Sequence, residues 1–222
     1  MGRLIDPEKR ARAKQRQAER KHRILEVSRS IFSRLPFVEV TLDSIGQAAD
    51  VDRGVASMYF GSKEELFLRL LHDELAEWYT ALEEEVLRSE GGLTGPEIAG
   101  ILAGSLTGRP ELTRLLSVEA VVLEQNLDAI EAFRFLKWRR DRMAAVGKIF
   151  DRSVAGLEEG EGIRLLHRVQ LLTAALRPAS DPRGAALYEV GDPEFEVFAI
   201  DFESELKHIV TAILKAGVKG NE

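Results

Sequence analysis

The 222-residue sequence contains no cysteine. Disulfide bonds, thiolate metal ligands and cysteine nucleophiles are therefore excluded, and the composition suits the reducing cytoplasm. Long apolar runs are missing as well, because no stretch reaches the roughly 18 residues that a membrane-spanning helix needs. The N-terminus is charged and lacks the apolar core of an export signal. We therefore expect a cytoplasmic protein that does not interact with a membrane.

Residue combinations that carry catalysis or bind metals are also scarce. The four histidines stand alone, without a second histidine four residues away or acids at ligand spacing: His22, His72, His167 and His208. The sequence has no glycine-rich phosphate loop and no nucleophile elbow. It predicts neither an enzyme nor a metal or cofactor site.

Charge is distributed unevenly along the chain. Residues 1–63 hold 13 Lys and Arg against 8 Asp and Glu, whereas the remaining 159 residues hold 18 against 29, which gives the net charge of −6. The first 23 residues alone hold nine basic and three acidic residues. A basic head on an acidic protein favours nucleic-acid binding, and the acidic part limits non-specific association. A solvated charged tail is the alternative.

Apolar residues recur at helical spacing through most of the chain, and only seven prolines interrupt it. We predict an all-α fold of about nine helices, with a three-helix N-terminal domain and a larger helical C-terminal domain. The predicted helices cover residues 7–34, 42–49, 53–59, 63–90, 96–107, 110–125, 129–156, 161–177 and 193–215. The polar first half of the first helix is either helical or ordered only on binding.

Two short helices with a tight turn between them lie from Thr41 to Phe60. Thr41 and Asp52 are placed as N-caps, and this arrangement predicts a helix-turn-helix. The first helix would bury Ile45 and Ala48 and cross the DNA backbone, while the second would offer side chains to the major groove.

Small residues allow the two short helices to cross closely. They are Gly46, Ala48, Ala49 and Ala56. The turn between the helices needs a residue that tolerates a positive φ, and Asp50 can adopt it at modest cost.

The stretch from Ile24 to Leu71 resembles the DNA-binding domain of TetR-family regulators. Its clearest matches are Ile45-Gly46-Gln47-Ala48-Ala49-Asp50-Val51 and Tyr59-Phe60-Gly61-Ser62-Lys63-Glu64-Glu65-Leu66-Phe67. The resemblance covers about a fifth of the chain. It implies a basic arm over residues 1–18, a DNA-binding domain over 19–68 and an effector-binding and dimerisation domain over 69–217.

The resemblance also implies which residues contact double-stranded DNA: Thr41, Arg53, Gly54, Ser57, Met58, Tyr59 and Lys63. Thr41 would cap its helix close to a phosphate, and Tyr59 and Lys63 would hold phosphates. The other four would face the groove, where Arg53 is the best candidate for a bidentate guanine contact. Tyr59 as a core-edge aromatic, Met58 as a packing residue and Lys63 as a solvated residue are the alternatives.

The sequence departs from the family pattern where Val55, Ala56 and Ser57 replace the usual Thr, Leu and Tyr. Ser57 donates a hydrogen bond but reaches less far than a tyrosine. We therefore expect the basic arm to supply more of the DNA affinity.

The C-terminal domain is expected to form a homodimer and bind an effector. The last two predicted helices have broad apolar faces, which would pack with a second copy as a four-helix interface or pack only within one monomer. Aromatic residues of the middle helices form core or line a pocket, and the candidate pocket residues are Trp78, Phe133 and His167.

The predicted function is that of a sequence-specific DNA-binding transcriptional repressor. The homodimer would bind a palindromic operator, and a small apolar or amphipathic effector would release it. The alternative is a helical protein-interaction scaffold that contacts DNA only electrostatically. DNA binding measured against competitor DNA and at raised salt would distinguish the repressor from the scaffold.

Overall fold

The computed structural model describes residues 7–51, 54–89, 92–124, 127–181 and 193–219. Within these ranges the chain forms nine α-helices and no β-strand, which confirms the all-α prediction. The helices are α1 (Pro7–Phe32), α2 (Leu42–Ala48), α3 (Val55–Tyr59), α4 (Lys63–Arg88), α5 (Gly95–Thr107), α6 (Pro110–Glu124), α7 (Ala129–Ser153), α8 (Glu161–Ser180) and α9 (Phe202–Lys219). Two short 3-10 helices cover Phe37–Glu39 and Pro193–Phe198.

The first three helices, here called the head, share an apolar core with the start of α4. Phe32 and Phe37 each meet the Phe67 ring edge-to-face, with ring centroids 4.9 Å apart. Such aromatic pairs contribute about 0.5–1.5 kcal/mol each beyond the area that they bury. Ile45 and Phe60 are fully buried beside them. The core therefore fixes α2 and α3 against α1 and α4.

Helices α4 to α9, here called the body, form a bundle around the long α4. Trp78 and Tyr79 on α4 are completely buried at its centre. Helix α7 packs against α4 and α8, and α9 packs mainly against α5. At the crossing of α7 and α8 the two backbones touch, because Gly147 and Gly162 face each other there. None of the helices in the described ranges is both long and apolar enough to cross a membrane.

The first half of α1 is helical from Pro7, and the side chains of residues 8–20 are all exposed. We call residues 8–20 the exposed half of α1. Its helix-stabilising contacts lie within the helix, such as the Arg12–Glu8 pair at 3.4 Å.

Two predictions for the C-terminal helices are wrong. Helix α8 continues through Pro178 to Ser180 instead of ending at residue 177, since a proline in the last turn removes little more than one backbone hydrogen bond. The predicted last helix is divided: after the 3-10 helix at 193–198, α9 begins at Phe202. Asp201 caps it by accepting a hydrogen bond from the Ser204 backbone N at 2.9 Å. Asp192, which directly precedes the predicted start of that helix, lies outside the described residues.

Candidate DNA-binding surface and interdomain contacts

Helix α2 begins at the cap that the sequence predicts. The Thr41 hydroxyl accepts a hydrogen bond from the Ser44 backbone N at 3.1 Å, and Ser44 Oγ accepts one from the Thr41 backbone N at 3.2 Å. This reciprocal capping box satisfies two backbone donors at the start of α2. Thr41 is exposed. Its side chain therefore lies on the surface where α2 begins.

The turn after α2 uses two residues with positive φ. Asp50 has φ of 53°, as the sequence predicts, and Gly54 has φ of 86°. Because Gly54 adopts a left-handed conformation, α3 begins at Val55 rather than directly after Asp52. Asp52, which the sequence predicts as the cap of this helix, lies outside the described residues.

Helices α2 and α3 cross closely at two small residues. A Cβ placed on Gly46 would lie 3.7 Å from the Cβ of Ala56, and both residues are buried. This crossing turns Ile45 and Ala49 inward and leaves Ala48 exposed. The predicted burial of Ala48 is therefore wrong.

Helix α3 presents an open face to solvent. Met58 is 85% exposed, and Gly54 and Ser57 are exposed beside it. Tyr59 is half-buried at the edge of this face. Because Ala56 and Phe60 hold the opposite side in the core, the exposed side chains project from a fixed support. The structure thus brings four of the predicted contact residues together.

Of the two basic residues predicted to contact DNA, the structure describes only Lys63. The Lys63 ammonium donates a hydrogen bond to the Phe37 carbonyl oxygen at 3.0 Å and lies 4.2 Å from the Phe37 ring centroid. It is therefore held against the head by an uncharged acceptor and a ring face. Arg53 lies outside the described residues.

The exposed half of α1 adds positive charge to the head. It holds six Lys and Arg against two Glu. Only one of those basic side chains, that of Arg12, forms an ion pair with another described residue of α1. The remaining cations are available to phosphates of a bound duplex.

The three candidate pocket residues are not brought together. Trp78 is fully buried, and its indole N–H donates to Ser105 Oγ at 3.0 Å. Phe133 is 67% exposed on α7, and His167 is exposed on α8. Among the described residues, no three acidic or histidine side chains gather as a metal site.

Sequence reasoning missed a polar cluster buried in the body. Gln170 Oε1 accepts hydrogen bonds from Arg139 Nε at 3.0 Å and Nη2 at 2.6 Å, and Arg139 also pairs with Glu119. The Tyr79 hydroxyl completes the cluster at 3.0 Å from Gln170 Nε2, and burial raises its pKa. These residues lie on α4, α6, α7 and α8. No local pattern in the sequence could have connected them.

Ion pairs and hydrogen bonds connect the head to the body. Arg29 on α1 lies 3.1 Å from Glu111 on α6 and 3.5 Å from Glu74 on α4, measured between nitrogen and oxygen. Arg114 on α6 donates a hydrogen bond to the Leu35 carbonyl oxygen at 2.8 Å. Helices α4 and α6 of the body therefore both contact the end of α1 or the residues that follow it.

Glu111 makes the stability of the folded protein depend on pH. Burial, and then the nearby Glu74 carboxylate, raise the pKa of Glu111 from 4.5 to about 7, although Arg29 opposes the shift. The folded protein therefore binds a proton on Glu111 more tightly than the unfolded chain does. Its contribution to stability is complete below pH 4.5 and is lost as the pH rises through about 7.

Glu111→Gln should raise the free energy of unfolding at pH 8 by about 1 kcal/mol, a value reduced for solvent screening. The neutral amide removes the cost of burying a carboxylate, so the gain should disappear at pH 5. Urea denaturation at both pH values measures the difference. The exposed Glu84 on α4 provides the control Glu84→Gln. An equal effect of Glu111→Gln at both pH values would contradict the raised pKa of Glu111.

Two family profiles match the chain. The family described as "Bacterial regulatory proteins, tetR family" matches residues 24–70, which contain α2, α3 and the start of α4. The family described as "Tetracyclin repressor-like, C-terminal domain" matches residues 72–219. The two matches together run from the second half of α1 to the end of α9.

The chain is also similar to a solved structure, the transcriptional regulator FadR from Bacillus subtilis in complex with stearoyl-CoA. The identity is 15% and the TM-score is 0.55, over 88% of this chain and 98% of that chain. At this identity the similarity shows a shared fold. No curated protein matches the chain in sequence.

Proposed function

Since the chain belongs to the TetR family and is a DNA-binding transcriptional regulator, we propose that it is a repressor that binds a palindromic operator as a homodimer. A small apolar or amphipathic effector releases it. The observation that carries the proposal is the exposed face of α3, which Gly54, Ser57 and Met58 form on a helix anchored from behind.

In the proposed complex, α3 enters the major groove and α2 lies across the backbone. Ser57 and Met58 reach base edges, whereas Tyr59 and Thr41 lie close to phosphates. The exposed half of α1 follows the adjoining backbone. Because the Ser57 side chain is short, the cations of the exposed half of α1 supply a large part of the affinity for DNA. The affinity therefore falls steeply as the salt concentration rises.

The proposed homodimer uses α8 and α9. Leu171 is 57% exposed on α8, and His167 is exposed one turn before it on the same face. Exposed alanines on α9, Ala212 and Ala216, permit close approach of a second copy. Antiparallel packing of these helices would form a four-helix interface and set two heads one helical turn of DNA apart. His167 then belongs to the dimer interface rather than to a pocket.

Effector release requires that the body moves the head. The contacts of Arg29 with Glu111 and of Arg114 with the Leu35 carbonyl provide this coupling. The structural neighbour binds stearoyl-CoA, which joins an apolar chain to a charged end. This neighbour supports an amphipathic effector for the present chain.

Selection of bound sequences from random duplex DNA at about 150 mM salt tests the proposal, because charges beyond about 8 Å are screened there. We expect enrichment of a palindrome with half-sites about 10 base pairs apart, or a multiple of that spacing. Loss of binding without enrichment would support the electrostatic scaffold instead. Transcription in vitro from a promoter that overlaps the palindrome should then fall, and a rise would contradict repression.

A further inference from the structure

A cleft of about 350 Å³ lies between the head and the body. Lys21 on α1 and Phe60 after α3 line it from the head, and Phe135 and Trp138 on α7 line it from the body. Helix α4 closes the third side with Leu68. This volume is in the range of small-molecule sites, which often lie between domains.

The floor of the cleft is apolar and aromatic. Phe60, Leu68 and Phe135 are at least nine-tenths buried. The Trp138 ring packs against the His72 ring at an interplanar angle of 33°, with centroids 3.9 Å apart, and stays partly exposed. A planar ring entering the cleft would therefore contact side chains that are already fixed in place.

Charge at the cleft favours an anion. The Lys21 ammonium lies 5.3 Å from the Phe60 ring centroid, over the floor, and has no acidic partner among the described residues. The two acidic side chains of the cleft are occupied: Glu65 accepts from the Gly61 backbone N at 2.8 Å, and Glu131 pairs with Arg134 at 2.5 Å. Arg69, which also lines the cleft, pairs with Asp73 at 2.9 Å, so Lys21 is the cation of the cleft that has no ion pair among the described residues.

From these observations we propose that the cleft binds a planar aromatic compound that carries one acidic group. Its ring lies on Trp138 and Phe60, and its anion pairs with Lys21. The ligand contacts α1 and the residue after α3 on one side and α7 on the other. It fixes the orientation of the head and lowers operator affinity, a consequence that rests on the proposed function.

Two probes with the same ring system test the site without DNA. We would titrate the full-length protein with 8-anilino-1-naphthalenesulfonate and with N-phenyl-1-naphthylamine, which lacks the sulfonate. The sulfonate probe should bind up to about fivefold more tightly than the uncharged probe, since one partly exposed ion pair contributes up to about 1 kcal/mol. Lys21→Ala should abolish this preference and leave the affinity for the uncharged probe unchanged.

Lys14→Ala is the matched control, because Lys14 lies on the same side of α1 about 10 Å away and is exposed. It should keep the preference for the sulfonate. Trp138→Leu should lower the affinity for both probes at least about fivefold. Phe133→Leu, at an exposed position of the same helix, should lower the affinity for neither. Equal binding of the two probes, or equal effects of the two lysine variants, would overturn the site.

The effect of the bound ligand on DNA binding is measured separately. At saturating sulfonate probe, affinity for the selected palindrome should fall at least about threefold in the wild type. Probe binding without any change in DNA affinity would overturn the coupling while leaving the site in place. A protein that binds no palindrome but binds the probe through Lys21 would instead refute the proposed function alone.

Discussion

Ser57→Glu should lower operator affinity by about 100-fold or more without lowering the melting temperature. The side chain is exposed on α3, so a carboxylate there would face the phosphates of the bound duplex and lose the donor that Ser57 offers. Folding should tolerate the change, because glutamate suits a helix at least as well as serine. Fluorescence anisotropy with the selected palindrome measures the affinity.

Thr80→Glu supplies the control for net charge. Thr80 is exposed on α4, about 25 Å along the helix from its first residue Lys63. This variant should bind the palindrome nearly as well as the wild type. If both variants lose affinity equally, total charge rather than contact at α3 governs binding. Unchanged binding by Ser57→Glu would exclude α3 from the groove.

Gly162→Ala should destabilise the protein by about 2–3 kcal/mol, although alanine normally favours a helix. A Cβ at Gly162 would overlap the Gly147 carbonyl oxygen, and one at Gly147 would lie 2.5 Å from the Ile163 backbone N. Both obstacles are backbone atoms, so the strain is relieved only by separating α7 from α8. For a chain of this size the melting temperature should fall by roughly 4–12 °C.

Gly104→Ala is the matched control within a helix of the same body. Its added Cβ would meet only the Glu203 carboxylate, at 3.8 Å. It should leave stability unchanged or raise it by up to about 1 kcal/mol. If Gly162→Ala raised the melting temperature in the same way, the close contact of α7 with α8 would be refuted.

Local signals in the sequence predicted the head well. The capping residue Thr41 acts within three residues, so its pattern can be read directly from the sequence. The same holds for Asp50, whose positive φ follows from a tight turn between two helices. The start of α3 was less predictable, because Asp and Gly are both common N-caps, and the left-handed backbone of Gly54 places that residue at the cap.

Long-range contacts in the body could not be predicted in the same way. Trp78, Phe133 and His167 were chosen for residue type, yet burial depends on which helix faces lie together. The division before α9 was missed because Phe195 and Phe198 continue an apolar spacing across a break capped by Asp201. Periodicity describes one helix at a time and carries no information about the partner helix.

The exposed half of α1 has a consequence for kinetics. Fourteen helical residues from Pro7 extend about 20 Å at 1.5 Å per residue, and the side chains of residues 8–20 contact none of the core. A positively charged helix that extends beyond the core of the head enlarges the target that a diffusing duplex can meet. Its cations should therefore act mainly on the association rate, and the fixed face of α3 on the lifetime of the complex.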